Sequence, residues 1–475
     1  MEEHTNTSLD QTVYEDIIKE KYSSKEMREL FSERNIIINW RKCWIALAEV
    51  EKDLGLKVIT KEMIQELKDN LLNINIPAAR AKEQETKHDV VAQIYAYGLV
   101  CPKAKGIIHL GATSQFLKCN TDMLLQRQAL LIVRKKLLIL LDNFYGLIEK
   151  YKAVPTLGYT HYQPAQPLTM GRRFCVYAQD FLSDFEELDH LLSTIKFRGE
   201  KGATGTQDSF MELFDGDKRK VQKLDILLAK KLGLGKVYPI TAQTYTRKQD
   251  IYIMTLLANI VASAKKFATD VRLMSNLNIL EEPFTEKQVG SSAMPYKRNP
   301  MKSERVCSLA RKVINNVPDF YDTYAEQWLE RTLDDSAIRR IDIPQNFMLT
   351  EYIIDTLNEI TAGLVIYPTI AKKLLDEELP YMATEKIIMA CVKKGADRQK
   401  IHEILREHAF NLAKHIKMEG RDNNLISMIA NDSRIGLSKQ ELEKILDVSK
   451  FIGLSVEQSE IFARDYLRPI LRKNN

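Results

Sequence analysis

Apolar residues recur three and four positions apart over two long stretches: Leu130, Val133, Leu137, Leu140, Phe144 and Leu147, then Ile253, Leu257, Ile260, Ala264, Phe267, Val271 and Met274. That spacing predicts helices with a heptad-like seam. A third stretch, 172–197, carries Phe174, Phe181, Phe185, Leu188, Leu192 and Ile195 along one side and also reads as a long helix. No proline interrupts any of the three. At 1.5 Å per residue the helix around the second seam runs on the order of 50 Å, longer than a small domain is wide. The first seam has further apolar neighbours at Leu131, Leu138 and Leu141. A helix apolar on more than one face must be covered on more than one side. One chain supplies few such helices, so the pattern predicts a bundle completed by other subunits; closure within one chain is the alternative.

The flanks have a different texture. From Glu15 to about Pro102 the pattern is helical, with Trp40 and Trp44 one turn apart and Ala46, Leu47 and Val50 continuing that face. A helix over Glu83 to Tyr97 would carry His88 beside Val91 and Tyr95, where a histidine is a structural or a functional residue. Past Pro368 the helices shorten, and Ser438-x-x-Glu441 and Ser455-x-x-Gln458 both read as capping boxes. The prediction is an all-α fold of three helical domains: 1–112, a long-helix domain over 113–366, and a small C-terminal domain over 367–475.

Composition narrows the function classes. At 475 residues with 45% hydrophobic and 28% charged positions, a large core is expected. The net charge of +5 is small for this length, and no basic run interleaves with aromatics, so nucleic acid is not an expected partner. The six cysteines lie far apart with no CxxC pair, which supports neither a zinc site nor a disulfide framework; no metal or cofactor is expected. No apolar stretch looks long enough to span a bilayer, and the acidic, polar start is unlike a signal peptide. A cytoplasmic protein without a membrane role is the expectation.

Candidate chemistry concentrates in loops. Residues 290–300, GSSAMPYKRNP, bring together Ser291, Ser292, Lys297, Arg298 and Asn299 between Gly290 and two prolines. Gly290 loosens the backbone, and Pro295 and Pro300 remove donors and favour extended neighbours, so this is a loop placed to present chemistry or a solvated connector. Residues 106–122 place Thr113 and Ser114 before the first long helix, as a polar cap region or an anion site. His161 lies in a loop bounded by Gly158 and prolines. Residues 201–207, KGATGTQ, have the content of an anion cradle but match neither a Walker A motif nor GxGxxG. The run WLERTLDDSAIRR supplies Arg331, Ser336 and Arg340, and by itself reads as a solvated charged helix.

The order Gly-Ser-Ser-x-Met-Pro-x-Lys-x-Asn resembles the signature loop of the fumarase/aspartase superfamily, whose members eliminate fumarate from substituted succinates. Its filling, with Ala293, Tyr296 and Arg298 followed by PMKSER, and the stretch QTYTRK from Gln243 resemble the adenylosuccinate lyase family of eukaryotic type. The stretch GYTHYQPAQP around His161 resembles the second superfamily signature, and GIIHLGATSQFLKCNTD the first. The resemblance implies that Ser291 is the general base and that His161 is the acid protonating the leaving nitrogen, a task for which an imidazole is suited. An ordinary serine hydroxyl is too weak a base, and the neighbouring cation Lys297 is the available means of favouring the alkoxide. Thr113, Ser114 and Gln243 would contact the succinyl group and Arg305 a carboxylate, and Ser292, Met294 and Asn299 of the loop would also bind the substrate. Arg331, Ser336 and Arg340 would take the nucleotide phosphate, with Lys21, Tyr22, Lys87 and Asp89 nearby, and His88 would orient the phosphate or His161. Lys21 and Lys87 stand where the family often has arginine, keeping the charge and losing the guanidinium fork. The implied substrate carries a phosphate and two carboxylates, so its site needs several cations. The resemblance further implies cleavage of adenylosuccinate to AMP and fumarate, the parallel cleavage of the succinylcarboxamide ribotide of purine synthesis, and a homotetramer with active sites shared among three subunits. An argininosuccinate-type lyase and a non-enzymatic, crystallin-like relative are the alternatives.

Overall fold

The computed structural model describes residues 14–420 and 422–474. The fold is all-α, as predicted. Strand is confined, among the described residues, to three antiparallel pairs of two residues each. The predicted long helices are Ser114–Tyr151, Met170–Thr194 and Lys248–Asn276. Every residue of the first two seams is buried. The third helix stops short of the expected Phe197, because Phe197 leaves it to exchange backbone hydrogen bonds with Lys236 and Tyr238. A further long helix, Asp335–Gly363, has Pro344 in its interior, and the reading of its start as a solvated segment missed its length. One expectation is corrected: Lys248–Asn276 is long and apolar enough to cross a membrane, although most of its apolar window is buried inside the protein.

The chain divides into two compact units, each assembled from three separated stretches: residues up to Leu137 with Asp184–Lys265 and Val306–Thr356, and Leu138–Ser183 with Lys266–Arg305 and the chain from Leu357 onward. In the first, helix Glu33–Asp53 starts at Ser32, whose hydroxyl accepts from the Asn35 N–H, and buries Trp44 against Tyr97. Arg41 is fully buried beside them; one guanidinium nitrogen donates to the carbonyls of Asn70, Leu71 and Asn73, and the group lies 4.1 Å from the Tyr97 ring centre. In the second, Phe144 packs on Phe181 and Phe267, with ring centres 5.7 and 5.2 Å away.

The small C-terminal helices of the second unit close over a core that includes Ile387, Ile401, Leu405, Leu425 and Leu442. The capping box at Ser438 and Glu441 forms with both reciprocal hydrogen bonds. The one expected at Ser455 does not. Ser455 is the first helical residue rather than the cap, and its hydroxyl donates to the Ile452 carbonyl.

Candidate active site

The expected continuous helix over Glu83 to Tyr97 is two helices, Ile76–Thr86 and Asp89–Val100, broken at Lys87 and His88. Lys87 ends the first in the left-handed region with φ 55°, and its side chain is exposed. His88 caps the second: its Nδ1 accepts from the Val91 N–H at 3.4 Å, so the imidazole stands at a helix start and not on an apolar face. Its Nε2 lies 3.5 Å from the hydroxyl of Ser114, the first residue of the helix Ser114–Tyr151. Thr113, half-buried, precedes that helix, and its carbonyl accepts from the Phe116 N–H at 2.9 Å. Asp89, next to His88, pairs with Lys118 at 2.9 Å and Arg340 at 3.1 Å. Burial pushes the Asp89 carboxyl up, but these two cations hold it below its ordinary value.

Asp89 and Arg340 lie in the wall of a cavity of about 470 Å³ in the first unit, as do Arg331 and Ser336. Behind them is an ion network that the sequence reading did not find. Arg247 and Arg331 both pair with Asp335, at 2.5 and 2.6 Å, while Arg339 reaches Asp122 at 2.9 Å, Asp250 at 2.8 Å and the Tyr245 hydroxyl. Burial raises the Asp335 carboxyl and the three arginines more than offset it. Five cations and five carboxylates line the cavity. The carboxylates thereby fix Arg247, Arg331 and Arg339 in position.

Lys21 ends the helix Ile17–Lys21 and is exposed; Tyr22 caps it and meets Tyr352 edge-on at 5.4 Å. Gln243 sits in the loop before helix Lys248–Asn276, its amide donating to the Ala203 carbonyl and its own carbonyl accepting from the buried Arg198.

The second unit holds the other two signatures. His161 and Tyr162 form the turn between strands Tyr159–Thr160 and Gln163–Pro164, with φ of 53° and 56°. A two-residue turn with both residues left-handed suits the twist of a hairpin but strains any residue with a side chain. The strain presents the His161 ring at the tip, exposed and without a hydrogen bond among the described residues. The hairpin stem is fixed by Arg173, which donates to the Leu157 carbonyl at 2.6 Å. It is also fixed at Gly158, where a Cβ would lie 2.3 Å from the Gln166 carbonyl oxygen.

Residues 290–300 form neither helix nor strand. Gly290 is needed for closeness rather than for unusual φ, since a Cβ there would fall 2.0 Å from the Lys297 carbonyl oxygen. Asn299 crosses the same neck and donates to the Gly290 carbonyl at 2.8 Å. Within the loop the Ser291 hydroxyl oxygen accepts from the backbone N–H groups of Ala293 and Met294, at 3.3 and 3.1 Å. Amides, not the expected Lys297 cation, are the groups bonded to it. The Lys297 ammonium is exposed and forms no ion pair among the described residues. Ser292 is exposed, Met294 lies under the Tyr296 hydroxyl at 3.8 Å, and Arg305 is on the exposed side of helix Met301–Asn315.

Two acidic residues missed by the sequence reading hold this loop from below. Glu281 accepts from Arg298 at 2.8 Å, and Glu282 accepts from the backbone N–H groups of Lys302 and Ser303, capping the helix that follows. No periodicity relates them to the loop. Asp335 and Arg339, by contrast, lie one turn apart on helix Asp335–Gly363 and Arg331 precedes them by four positions, a charge spacing that could have been read.

Comparison with known proteins adds independent information. Residues 18–315 match the family described as Lyase, and residues 380–462 match the family described as Adenylosuccinate lyase C-terminus. The chain is 46% identical to the adenylosuccinate lyase of Schizosaccharomyces pombe, over 93% of this chain and 92% of that one. It is 44% identical to those of Saccharomyces cerevisiae and Schistosoma mansoni, over 94% and 96% of this chain and 93% and 96% of theirs. Among solved structures it is similar to the 3-carboxy-cis,cis-muconate lactonizing enzyme of Pseudomonas putida, with TM-score 0.82 and 20% identity, covering 96% of this chain and 99% of that one. It is also similar to a fumarate lyase from Mesorhizobium, with TM-score 0.79 and 20% identity over 95% and 100%. These two likenesses concern the fold alone.

Proposed function

The chain belongs to the adenylosuccinate lyases, carbon–nitrogen lyases, and on that premise we propose that Ser291 and His161 divide the elimination between them. The Ser291 alkoxide removes a proton from the succinyl carbon beside a carboxylate. The electron pair left there forms the double bond of fumarate as the carbon–nitrogen bond breaks, and the departing nitrogen takes a proton from the His161 imidazolium. AMP and fumarate leave. The observation that carries this reading is the Ser291 oxygen accepting two backbone N–H groups, because donors already aimed at the hydroxyl oxygen stabilise its anion. The exposed His161 ring at a strained hairpin tip supports the acid role.

Lys297 supplies charge beside the base. Thr113, Ser114, Gln243, Ser292, Met294, Asn299 and Arg305 contact the succinyl group, and His88, Asp89, Arg331, Ser336 and Arg340, with Lys21, Tyr22 and Lys87, take the nucleotide. The same chemistry applies to the succinylcarboxamide ribotide, which presents the same succinylamino group. The working form is a homotetramer in which more than one subunit supplies residues to each site. Residues 1–112, 113–366 and 367–475 are its domains, and its compartment is the cytoplasm.

The test is fumarate release from adenylosuccinate, with argininosuccinate as the control substrate. We expect turnover of the first and none of the second. Ser291→Ala should lower kcat by about 10²–10⁴-fold with a smaller change in KM. An unchanged kcat in that variant would remove the base assignment.

A further inference from the structure

We propose that Glu281 is a positioning residue for the elimination, acting through Arg298 to hold the loop that carries Ser291. This rests on the reading of Ser291 as base. Glu281 ends the strand Leu280–Glu281, which pairs antiparallel with Val365–Ile366, so its backbone is anchored at a distant point of the sequence. One of its carboxylate oxygens accepts from both Arg298 Nη1 at 2.8 Å and the Tyr367 hydroxyl at 3.1 Å. The Arg298 guanidinium also lies 5.4 Å from the centre of the Phe284 ring. That ring in turn abuts Gly290, where a Cβ would meet it at 3.2 Å. Pro283, between these groups, is packed under Gly363, whose Cβ would fall 2.6 Å from it. The two ends of the loop therefore rest on one short segment. Glu281 and Phe284 take Arg298 and Gly290, and Glu282 takes the amides after Met301.

Exposure shows what the pair does. The side chains of Arg298 and Glu281 are 54% and 27% exposed, and ion pairs in such settings add little to folding stability. Their effect falls instead on orientation. The loop has no helix or strand of its own, and beyond its neck at Gly290 and Lys297 this pair ties it to the anchored strand. Small misplacements of a reacting group cost rate steeply.

In the intact oligomeric enzyme, Glu281→Gln should lower kcat for adenylosuccinate about tenfold and leave KM within about twofold. The thermal midpoint should be unchanged, and the exchanged pair E281R/R298E should recover most of the lost kcat. Trypsin should cut after Lys297 and Arg298 about fivefold faster in E281Q, as read by mass spectrometry, because the loop opens more often. Wild-type kcat and wild-type cleavage in E281Q overturn the proposal. So does a kcat loss that accompanies a lowered thermal midpoint and is not rescued by the exchange. Ser291→Ala, assayed alongside, separates the two ideas: full activity there removes the base, while the tryptic rate still decides for or against the Glu281 hold.

Discussion

Glu51 lies in the interior of the first unit, and neither of its carboxylate oxygens has a hydrogen-bond partner among the described residues. Burial, with Glu200 acting in the same direction, pushes its carboxyl up to about 9. Between its ordinary value near 4.5 and that figure the folded chain carries a proton the unfolded chain lacks, so its stabilising effect is complete below the window and lost as pH rises through it. His109 acts in the opposite sense. Its Nδ1 accepts from the Trp44 indole N–H at 3.0 Å, and burial, aided by the nearby His88, pulls it down from 6.5 to about 4. Its contribution is present above 6.5 and lost as pH falls toward 4. Glu51→Gln keeps the shape and removes the titration. Urea unfolding at about pH 6 and about pH 8 should show the variant gaining on the parent by about 2 kcal/mol between the two conditions. A constant difference between variant and parent would show that Glu51 does not titrate in this range.

At the scale of elements, the helices with regular seams were readable and the interruptions were not. The first seam is legible because Leu130 to Leu147 follow a single period with nothing to contradict it. The break at Lys87 was hidden because left-handed helix ends are usually announced by glycine or asparagine, and lysine gives no such sign. Pro344 obscured the helix Asp335–Gly363 for the converse reason, being a residue that normally ends one. Capping is similarly uneven, since Ser438 and Ser455 carry the same short pattern and only the first caps. Ser438→Ala should therefore cost the second unit about 1 kcal/mol, seen as a lower denaturant midpoint with an unchanged slope.

For the molecule as a whole, the residues of the proposed site stand in the sequence as motifs, and the groups that hold them do not. Ser291, His161 and Arg331 belong to ordered strings of unusual residues. Glu281 acts on Arg298 from outside the loop, and no local pattern connects such partners. The proposed assembly with other copies would fall on the outer faces of the long helices. Leu131, Ile139, Val176 and Tyr252 remain exposed outside the buried seams, Ile139 by 46%. If other copies cover these faces, Ile139→Glu should yield folded subunits of lower mass in sedimentation, with activity reduced by about tenfold or more. Retention of both full assembly and full turnover would place the subunit contacts elsewhere.

Gly290 has a consequence for inheritance. One added methyl group cannot share space with the Lys297 carbonyl, so the smallest possible change at that codon must prise the neck apart. A lineage could swap exposed neighbours such as Ser292 or Tyr296 with little disturbance to the backbone, yet losing this one hydrogen-only position displaces the adjoining hydroxyl. Descendants of this gene that still carry out the elimination are thus expected to keep glycine there as strictly as the serine beside it.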